Sequence, residues 1–247
     1  MNIQTLDARR QFVIPGDTAA TLTFCANHFV AAYQKAVQQK GYFYVALSGG
    51  STPKALFQIL TTSPYKELFI WDRIHLFWSD ERNVPPDHLD SNYHMAMESG
   101  FGIMGIPKNQ IHRMIAEEKI EEHAKAYEEL LRRELPAEGF DYLCLGMGED
   151  GHTASLFPET RALTSKDRLV VANEVPQKNS WRMTLTFPCI NAAKQIVLYV
   201  LGDSKKEKVQ EIFIRRPGIY PVEQVGTSKS PALWILDTKA ASLLAKT

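Results

Sequence analysis

Two stretches of this chain combine the residue types that handle phosphate and protons: Ser48-Gly49-Gly50-Ser51-Thr52-Pro53 and Gly146-Met147-Gly148-Glu149-Asp150-Gly151-His152-Thr153. The first follows Tyr42 to Leu47, an aromatic and β-branched run fit for a buried strand, and precedes Lys54 to Leu60, which carries helical spacing. Strand, glycine turn, helix is the predicted order. Pro53 suits the first helical turn, where its missing N–H costs nothing, and Ser51 or Thr52 is placed to cap the free donors. The N–H groups of Gly49, Gly50 and Ser51 then face outward at the positive end of a helix dipole. That is a seat for a phosphate dianion, and glycine leaves it open to close approach. The plain alternative is an ordinary tight turn. It is not a Walker loop, because no Gly-Lys-Ser/Thr follows.

The second stretch contains a literal Gly-x-Gly-x-x-Gly after the strand-like Phe140 to Leu145. A dinucleotide site is rejected on charge, because Glu149 and Asp150 sit inside the turn that would cradle a pyrophosphate. Pro158 also arrives too soon after Gly151 for the expected helix. The loop is better suited to presenting His152. A histidine at the C-terminal end of a parallel strand, flanked by acids, can be held in one tautomer and kept near neutrality as a general base. Either Glu149 or Asp150 can do the holding, and the bland alternative is a histidine bonded to loop backbone.

A third cluster, Trp78 to Pro86, follows the strand-like Arg73 to Phe77, so all three clusters fall at strand C-termini. In open α/β sheets that edge binds ligands. Arg82 suits bidentate contact with phosphate and Asp80 suits sugar hydroxyls, against the ordinary alternative of a solvated loop with local ion pairs.

These residues resemble the 6-phosphogluconolactonase family, a branch of the superfamily that also holds glucosamine-6-phosphate deaminases and ribose-5-phosphate isomerases. The resemblance runs through Leu47 to Pro53, Trp78 to Pro86, Asp90 to Tyr93, Gly146 to Pro158, and Arg182 to Pro188 with Asn191 to Ala193. It continues through Gly202-Asp203-Ser204-Lys205 and Pro231 to Asp237, and so covers most of the chain. It implies a single three-layer α/β/α domain over residues 1–247, with a mainly parallel, Rossmann-like sheet. It places Ser48, Gly49, Gly50, Ser51 and Thr52 at the substrate, with Gly148 and Asp80 beside them and Arg82, Arg182 and Lys205 supplying charge. The catalytic set is His152 with Asp150 and Glu149. Arg182 also suits a solvated strand end, and Lys205 has Lys206 and Lys208 as neighbours of the same type. A lysine at that helix start opposes the dipole, which favours an anion nearby.

Deaminases of the superfamily resemble Asp-Gly-His-Ile-Ala-Phe-Asn-Glu-Pro, whereas this chain has Asp150-Gly151-His152-Thr153-Ala154-Ser155-Leu156-Phe157-Pro158. Phe157 stands where that glutamate would be, and a phenyl ring moves no proton. Arg82 likewise replaces a usual aromatic. The implied activity is hydrolysis of 6-phosphoglucono-1,5-lactone in the oxidative pentose phosphate route, with no cofactor and no metal, because a δ-lactone is an activated ester that needs a positioned water and a base. Ser48 and Ser155 lie outside any Gly-x-Ser-x-Gly, so an acyl-enzyme is a minor alternative. Against the lactonase stand a deaminase or isomerase, which Phe157 disfavours, and a non-catalytic sugar-phosphate sensor, for which no DNA-binding segment is visible.

The chain has 247 residues, 45% hydrophobic, with 28 basic and 28 acidic side chains, so no global field favours nucleic acid or an anionic membrane. No run approaches the about 20 apolar residues of a membrane span, and the N-terminus lacks a signal's apolar core, so the expected place is the cytoplasm. The partner expected is a small sugar phosphate, and a monomer is the default. Cys25, Cys144 and Cys189 sit in apolar stretches and read as reduced core residues. Asp17 caps a helix ending at Gly41, Glu121 to Glu134 forms a surface helix, and Lys205 to Phe213 forms another. Further strands are expected at Leu169 to Ala172, Met183 to Phe187, Ile196 to Leu201 and Leu233 to Leu236, in a mainly parallel sheet. Pro217 to Pro231 is a connection.

Overall fold

In the computed structural model, which describes residues 2–215 and 217–244, a hairpin that the sequence pattern does not announce comes first: β1 (Gln4–Asp7) and β2 (Arg10–Val13) pair antiparallel. Helix α1 (Thr18–Lys40) is bounded as its sequence predicts. The Asp17 carboxylate accepts from the Ala20 N–H at 2.9 Å, and Gly41 closes the helix in the left-handed region at φ 84°. Its Phe29 and Tyr33 stand edge-on to Phe43, with centroids 5.4 and 5.8 Å apart, which fixes the helix on the sheet.

Strand β3 (Phe43–Leu47) runs into α2 (Ser51–Leu60), and β4 (Ile74–Trp78) into a short β5 (Asp80–Arg82) and α3 (Asn92–Glu98). Then come α4 (Ile120–Glu134), β6 (Tyr142–Gly146), β7 (Val170–Val175) and β8 (Ser180–Leu185). The chain continues through α5 (Phe187–Asn191), β9 (Ile196–Val200), α6 (Lys206–Gln210) and β10 (Ala232–Leu236). The central sheet has the order β1-β2-β10-β9-β6-β3-β4, parallel throughout except for the edge strand β1. Every residue of β9 and β10 is buried, as expected of parallel strands covered on both faces. After β4 the chain returns to the other side of β3, so the strand order reverses between β3 and β6. The crevice at that switch opens at the C-terminal ends of the strands.

The structure corrects three expectations. The strands after residue 169 do not all join the central sheet: β7 and β8 pair antiparallel with each other, and β8 pairs with β5, in a separate sheet of order β5-β8-β7. The short turn at Pro176–Lys178, closed by Asn179 at φ 44°, leaves no chain for a crossover, and strands joined so tightly pair antiparallel. Asp80-Glu81-Arg82, expected as a loop, is β5 of that sheet. The helix expected over Lys205 to Phe213 changes winding: a 3₁₀ turn at Asp203–Lys205, then α6, then a π-helical turn at Glu211–Arg215. Among the described residues no helix is long and apolar enough to cross a membrane. The three cysteines are free and buried.

Candidate active site

The turn after β3 is built by exclusion. Gly50 occupies the N-cap of α2 at φ 106° and no side chain caps the helix, so Ser51 and Thr52 do not fill the capping role expected of them. The first-turn donors are left free of side-chain partners, at the positive end of a ten-residue helix. Gly49 has a second reason to be glycine: a Cβ there would lie 1.8 Å from Oδ1 of Asn92. Asn92 is buried, and its Nδ2 donates to the Asp80 carbonyl at 2.9 Å and to Oδ1 of Asp80 at 3.3 Å.

Glu81 sets Asn92 in place. It is buried at 3% exposure, and its carboxylate accepts from the N–H groups of Asn92 and Tyr93, each at 2.8 Å, and from Ser91 Oγ at 3.0 Å. Burial pushes its pKa up, against the pull of these bonds. Its neighbour Asp80 faces the cleft, with Oδ2 taking the Ser155 hydroxyl at 2.7 Å and Oδ1 the Ser79 hydroxyl at 3.2 Å. Arg82 donates to the Asp90 carbonyl at 2.6 Å and lies directly opposite Arg182 in the β5–β8 register. Two guanidinium groups on opposed positions repel. Burial lowers the pKa of Arg182, Arg82 lowers it further, and its Nε is buried with no hydrogen-bond partner among the described residues.

The loop after β6 presents His152 through its own backbone bonds. Gly148 N–H donates to the His152 carbonyl at 2.9 Å, Gly151 N–H to the Gly148 carbonyl at 3.1 Å, and Thr153 Oγ1 to the Gly146 carbonyl at 2.8 Å. A Cβ on Gly148 would come within 2.1 Å of His152 Nδ1. Of the two acids, Asp150 is the partner: its Oδ1 lies 2.5 Å from Nδ1 of His152 and also accepts the His152 N–H at 3.1 Å. Glu149 is exposed and makes no hydrogen bond or ion pair among the described residues. Because the carboxylate accepts, Nδ1 carries the proton and Nε2 the lone pair. Phe157 stacks on the imidazole with centroids 3.9 Å apart and planes 22° off parallel. Burial lowers the pKa of His152 and outweighs the opposing charge of Asp150. For Asp150, burial acts upward, but the charge and hydrogen bonds of His152 hold the carboxyl below its usual value. The product is a neutral imidazole with a directed lone pair, which is what a general base requires.

These elements close around a cleft of about 250 Å³ at the switch crevice, lined by Ser48, Gly49, Gly50, Asp80, Arg82 and Asn92 from one side. Gly146, Met147, Gly148, His152, Ala154 and Lys205 line the other. Of the residues singled out in the sequence, Ser51, Thr52, Asp150, Glu149 and Arg182 do not line it. Asp150 and Arg182 stand one layer back, against His152 and Arg82 respectively. Asn92, Gly146, Met147 and Ala154 line it without a role assigned from the sequence. Asn92 has no titratable group to attract notice, and the nearest sign of it was its place beside Ser91 in the Asp90 to Tyr93 block. Of the three lysines, Lys206 pairs with Asp203 at 2.8 Å and Lys208 with Glu211 at 3.0 Å, while the Lys205 side chain lines the cleft and makes no hydrogen bond or ion pair among the described residues. Size alone does not find this site, since a cavity of about 390 Å³ beside α4 is lined by the exposed charges Glu121, Glu159, Arg161 and Glu174 and contains no histidine.

Fold and cleft together define an α/β enzyme with a cationic, glycine-walled pocket and one oriented histidine. The chain belongs to the glucosamine-6-phosphate isomerases/6-phosphogluconolactonase family, whose model matches residues 16–234. It is 41% identical over 222 residues to a 6-phosphogluconolactonase of Chlamydia pneumoniae, covering 89% of this chain and 84% of that one. It is 35% identical over 242 residues to a 6-phosphogluconolactonase of Nostoc sp., covering 94% and 97%. Among solved structures, 6-phosphogluconolactonase of Thermotoga maritima superposes with a TM-score of 0.80 at 29% identity, covering 92% of this chain and 98% of that one. The Trypanosoma brucei 6-phosphogluconolactonase gives 0.83 at 26%, covering 94% and 98%.

Proposed function

We propose that this chain hydrolyses 6-phosphoglucono-1,5-lactone to 6-phosphogluconate, the lactonase step of the oxidative pentose phosphate route, with His152 as general base. The observation that carries this is the His152 environment: Nδ1 held by Asp150 at 2.5 Å, and one ring face covered by Phe157, where a deaminase needs a proton-bearing glutamate. Nε2 takes a proton from water as the water oxygen bonds to C1. The tetrahedral intermediate then collapses with cleavage of the bond from C1 to the ring oxygen, and the imidazolium returns the proton to that oxygen. Water is added across the ester, and no electron acceptor is needed. Positioned proton transfer contributes about 10² to 10⁴ in rate, and the rest comes from holding the substrate.

The phosphate is assigned to the Gly49, Gly50, Ser51 and Thr52 backbone with Arg82, Lys205 and Arg182. Support comes from the opposed Arg82 and Arg182, whose repulsion a dianion relieves, and from the uncommitted Lys205 side chain. Asp80, with Ser48 and Gly148 beside it, is assigned to the sugar end. Among the described residues Glu149 makes no contact that supports a catalytic role. We further propose that residues 1–247 act as one domain, as a monomer, on a small sugar phosphate, without nucleic acid. Three buried free cysteines fit a reducing, cytoplasmic setting.

The test is hydrolysis of freshly made lactone by the wild type and His152→Ala, corrected for spontaneous opening, with ammonia release from glucosamine 6-phosphate run alongside. Turnover in the wild type that is lost in the variant is the expected result. Lactone loss at the background rate by the wild type refutes the assignment, and ammonia release would return it to the deaminase reading.

A further inference from the structure

The segment after the π-helical turn, which sequence pattern leaves as a plain connection, packs directly on the loop that presents His152. Gly151, at φ 79°, lies against Tyr220 so closely that a Cβ would come within 2.6 Å of Cδ1 of the ring. The Val222 N–H donates to the Gly151 carbonyl at 3.0 Å. The same ring carries the ammonium of Lys208 at 3.8 Å from its centroid, and Lys208 pairs with Glu211 at 3.0 Å. Lys208 lies one turn beyond Lys205 on the winding that begins at Asp203. Glu211 is held below its usual carboxyl value first by a hydrogen bond with the Tyr220 side chain and then by Lys208. The backbone of Tyr220 is pinned in turn, its N–H donating to Oε2 of Glu223 at 3.1 Å, while Glu223 is buried and reaches Arg10 at 3.4 Å.

We propose that Tyr220 is a positioning residue: its ring, held between Gly151 and Lys208, sets the His152 loop at a fixed distance from the helix that presents Lys205. This rests on the lactonase reading, in which one substrate must touch both ends. Asp150 and Phe157 orient the imidazole within its own loop, but they come from that loop or its continuation and cannot fix where it stands against Lys205. Tyr220 does that from outside. A displacement of about 1 Å at a reacting group costs about 10²-fold in rate, so a ring-sized gap at Gly151, on the loop that carries His152, acts on turnover first.

The experiment compares wild type, Tyr220→Phe and Tyr220→Ala in steady-state lactone hydrolysis, with thermal melting of each. Tyr220→Ala is expected to lower kcat about 10- to 100-fold with a smaller change in KM, and Tyr220→Phe, which keeps the ring over Gly151 and under Lys208, to recover kcat to within about threefold of wild type. Should Tyr220→Ala fail to fold, Tyr220→Leu takes its place, since it fills volume without offering a flat face to Lys208. A kcat unchanged by loss of the ring, a loss confined to KM, or a Tyr220→Phe variant as impaired as the alanine overturns the proposal. A wild type that opens no lactone faults the lactonase reading instead, so the two failures are told apart within one experiment.

Discussion

Replacing Asp150 by Asn tests the site's logic most directly, because it keeps the side chain's shape and removes its charge. In the wild type, Oδ1 accepts from Nδ1 at 2.5 Å, leaving the lone pair on Nε2. An asparagine offers an NH₂ as readily as a carbonyl, and when the NH₂ faces Nδ1 the ring proton moves to Nε2, where the base is lost. A hydrogen bond to a charged group contributes about 1.5–3 kcal/mol. The Asp150 side chain is 44% exposed, so solvent screening places its share at the low end. About 1.5–2 kcal/mol corresponds to about 10- to 30-fold at 1.36 kcal/mol per decade. The tautomer penalty multiplies this, giving an expected fall in kcat of about 10²- to 10³-fold. The pH profile is expected to move the other way from intuition. His152 already titrates below its ordinary 6.5 because burial outweighs the charges of Asp150 and Asp80, and removing Asp150, the larger of those two influences, lowers it again. The acid limb of kcat/KM should therefore lie below pH 6.5 in the wild type and shift lower still in Asp150→Asn. The assay is pH-stat titration of acid released from fresh lactone, each point corrected for spontaneous opening. A variant with near wild-type kcat, or an acid limb that moves up in pH, refutes this account.

Three further outcomes follow from the same geometry. Lys205→Met should raise KM about 10- to 100-fold through loss of a charge-assisted contact, whereas Lys206→Met, whose ammonium is committed to Asp203, should change it by less than about twofold; steady-state kinetics on the pair decides this. Gly49→Ala should drive the Asn92 carboxamide off Asp80 and lower stability by about 1–3 kcal/mol, read as a fall in Tm by calorimetry, and an unchanged Tm would show that Asn92 yields freely. His112 is 7% exposed and its pKa is pushed down to about 4, by burial first and then by His75, whose Nδ1 lies 3.3 Å from its Nε2. The unfolded chain takes this proton near 6.5 and the folded chain only near 4, so the stabilisation is full above pH 6.5, drains as pH falls to about 4, and is then flat. The span is worth at most about 3 kcal/mol. His112→Phe, which keeps a ring against Phe77, should flatten that slope in urea melts at pH 7 and 4.5.

What the sequence revealed was local chemistry on buried parallel strands. Strands β3, β4 and β6 read as apolar runs because both their faces are covered, and the caps of α1 depend on Asp17 and Gly41 alone. The three clusters at their C-termini therefore located the cleft. What stayed hidden depends on partners far along the chain. Asp80-Glu81-Arg82 has no hydrophobic period, and its strand character comes from pairing with Thr184, Met183 and Arg182. The choice between Glu149 and Asp150 is made by the backbone turn at Gly151, which brings the second acid and not the first onto Nδ1, and spacing cannot distinguish adjacent carboxylates. Lys205, Lys206 and Lys208 are alike in sequence and differ in the fold, where the last two have carboxylate partners.

Phe157 ties two properties of this enzyme to one codon. Its ring lies against the imidazole of His152, whose pKa burial lowers, and in the resemblance drawn from the sequence it stands where deaminases of the superfamily carry a glutamate. A Phe157→Glu change would therefore install the missing acid and, in the same step, strip the histidine of its apolar cover and set a second negative charge beside it. Both changes favour the imidazolium, so in the mechanism proposed above His152 would be held protonated and unable to take a proton from water before any deaminase existed to replace it. The two activities share a scaffold, yet the path between them crosses a valley at this position, and conversion demands a compensating change elsewhere around the imidazole.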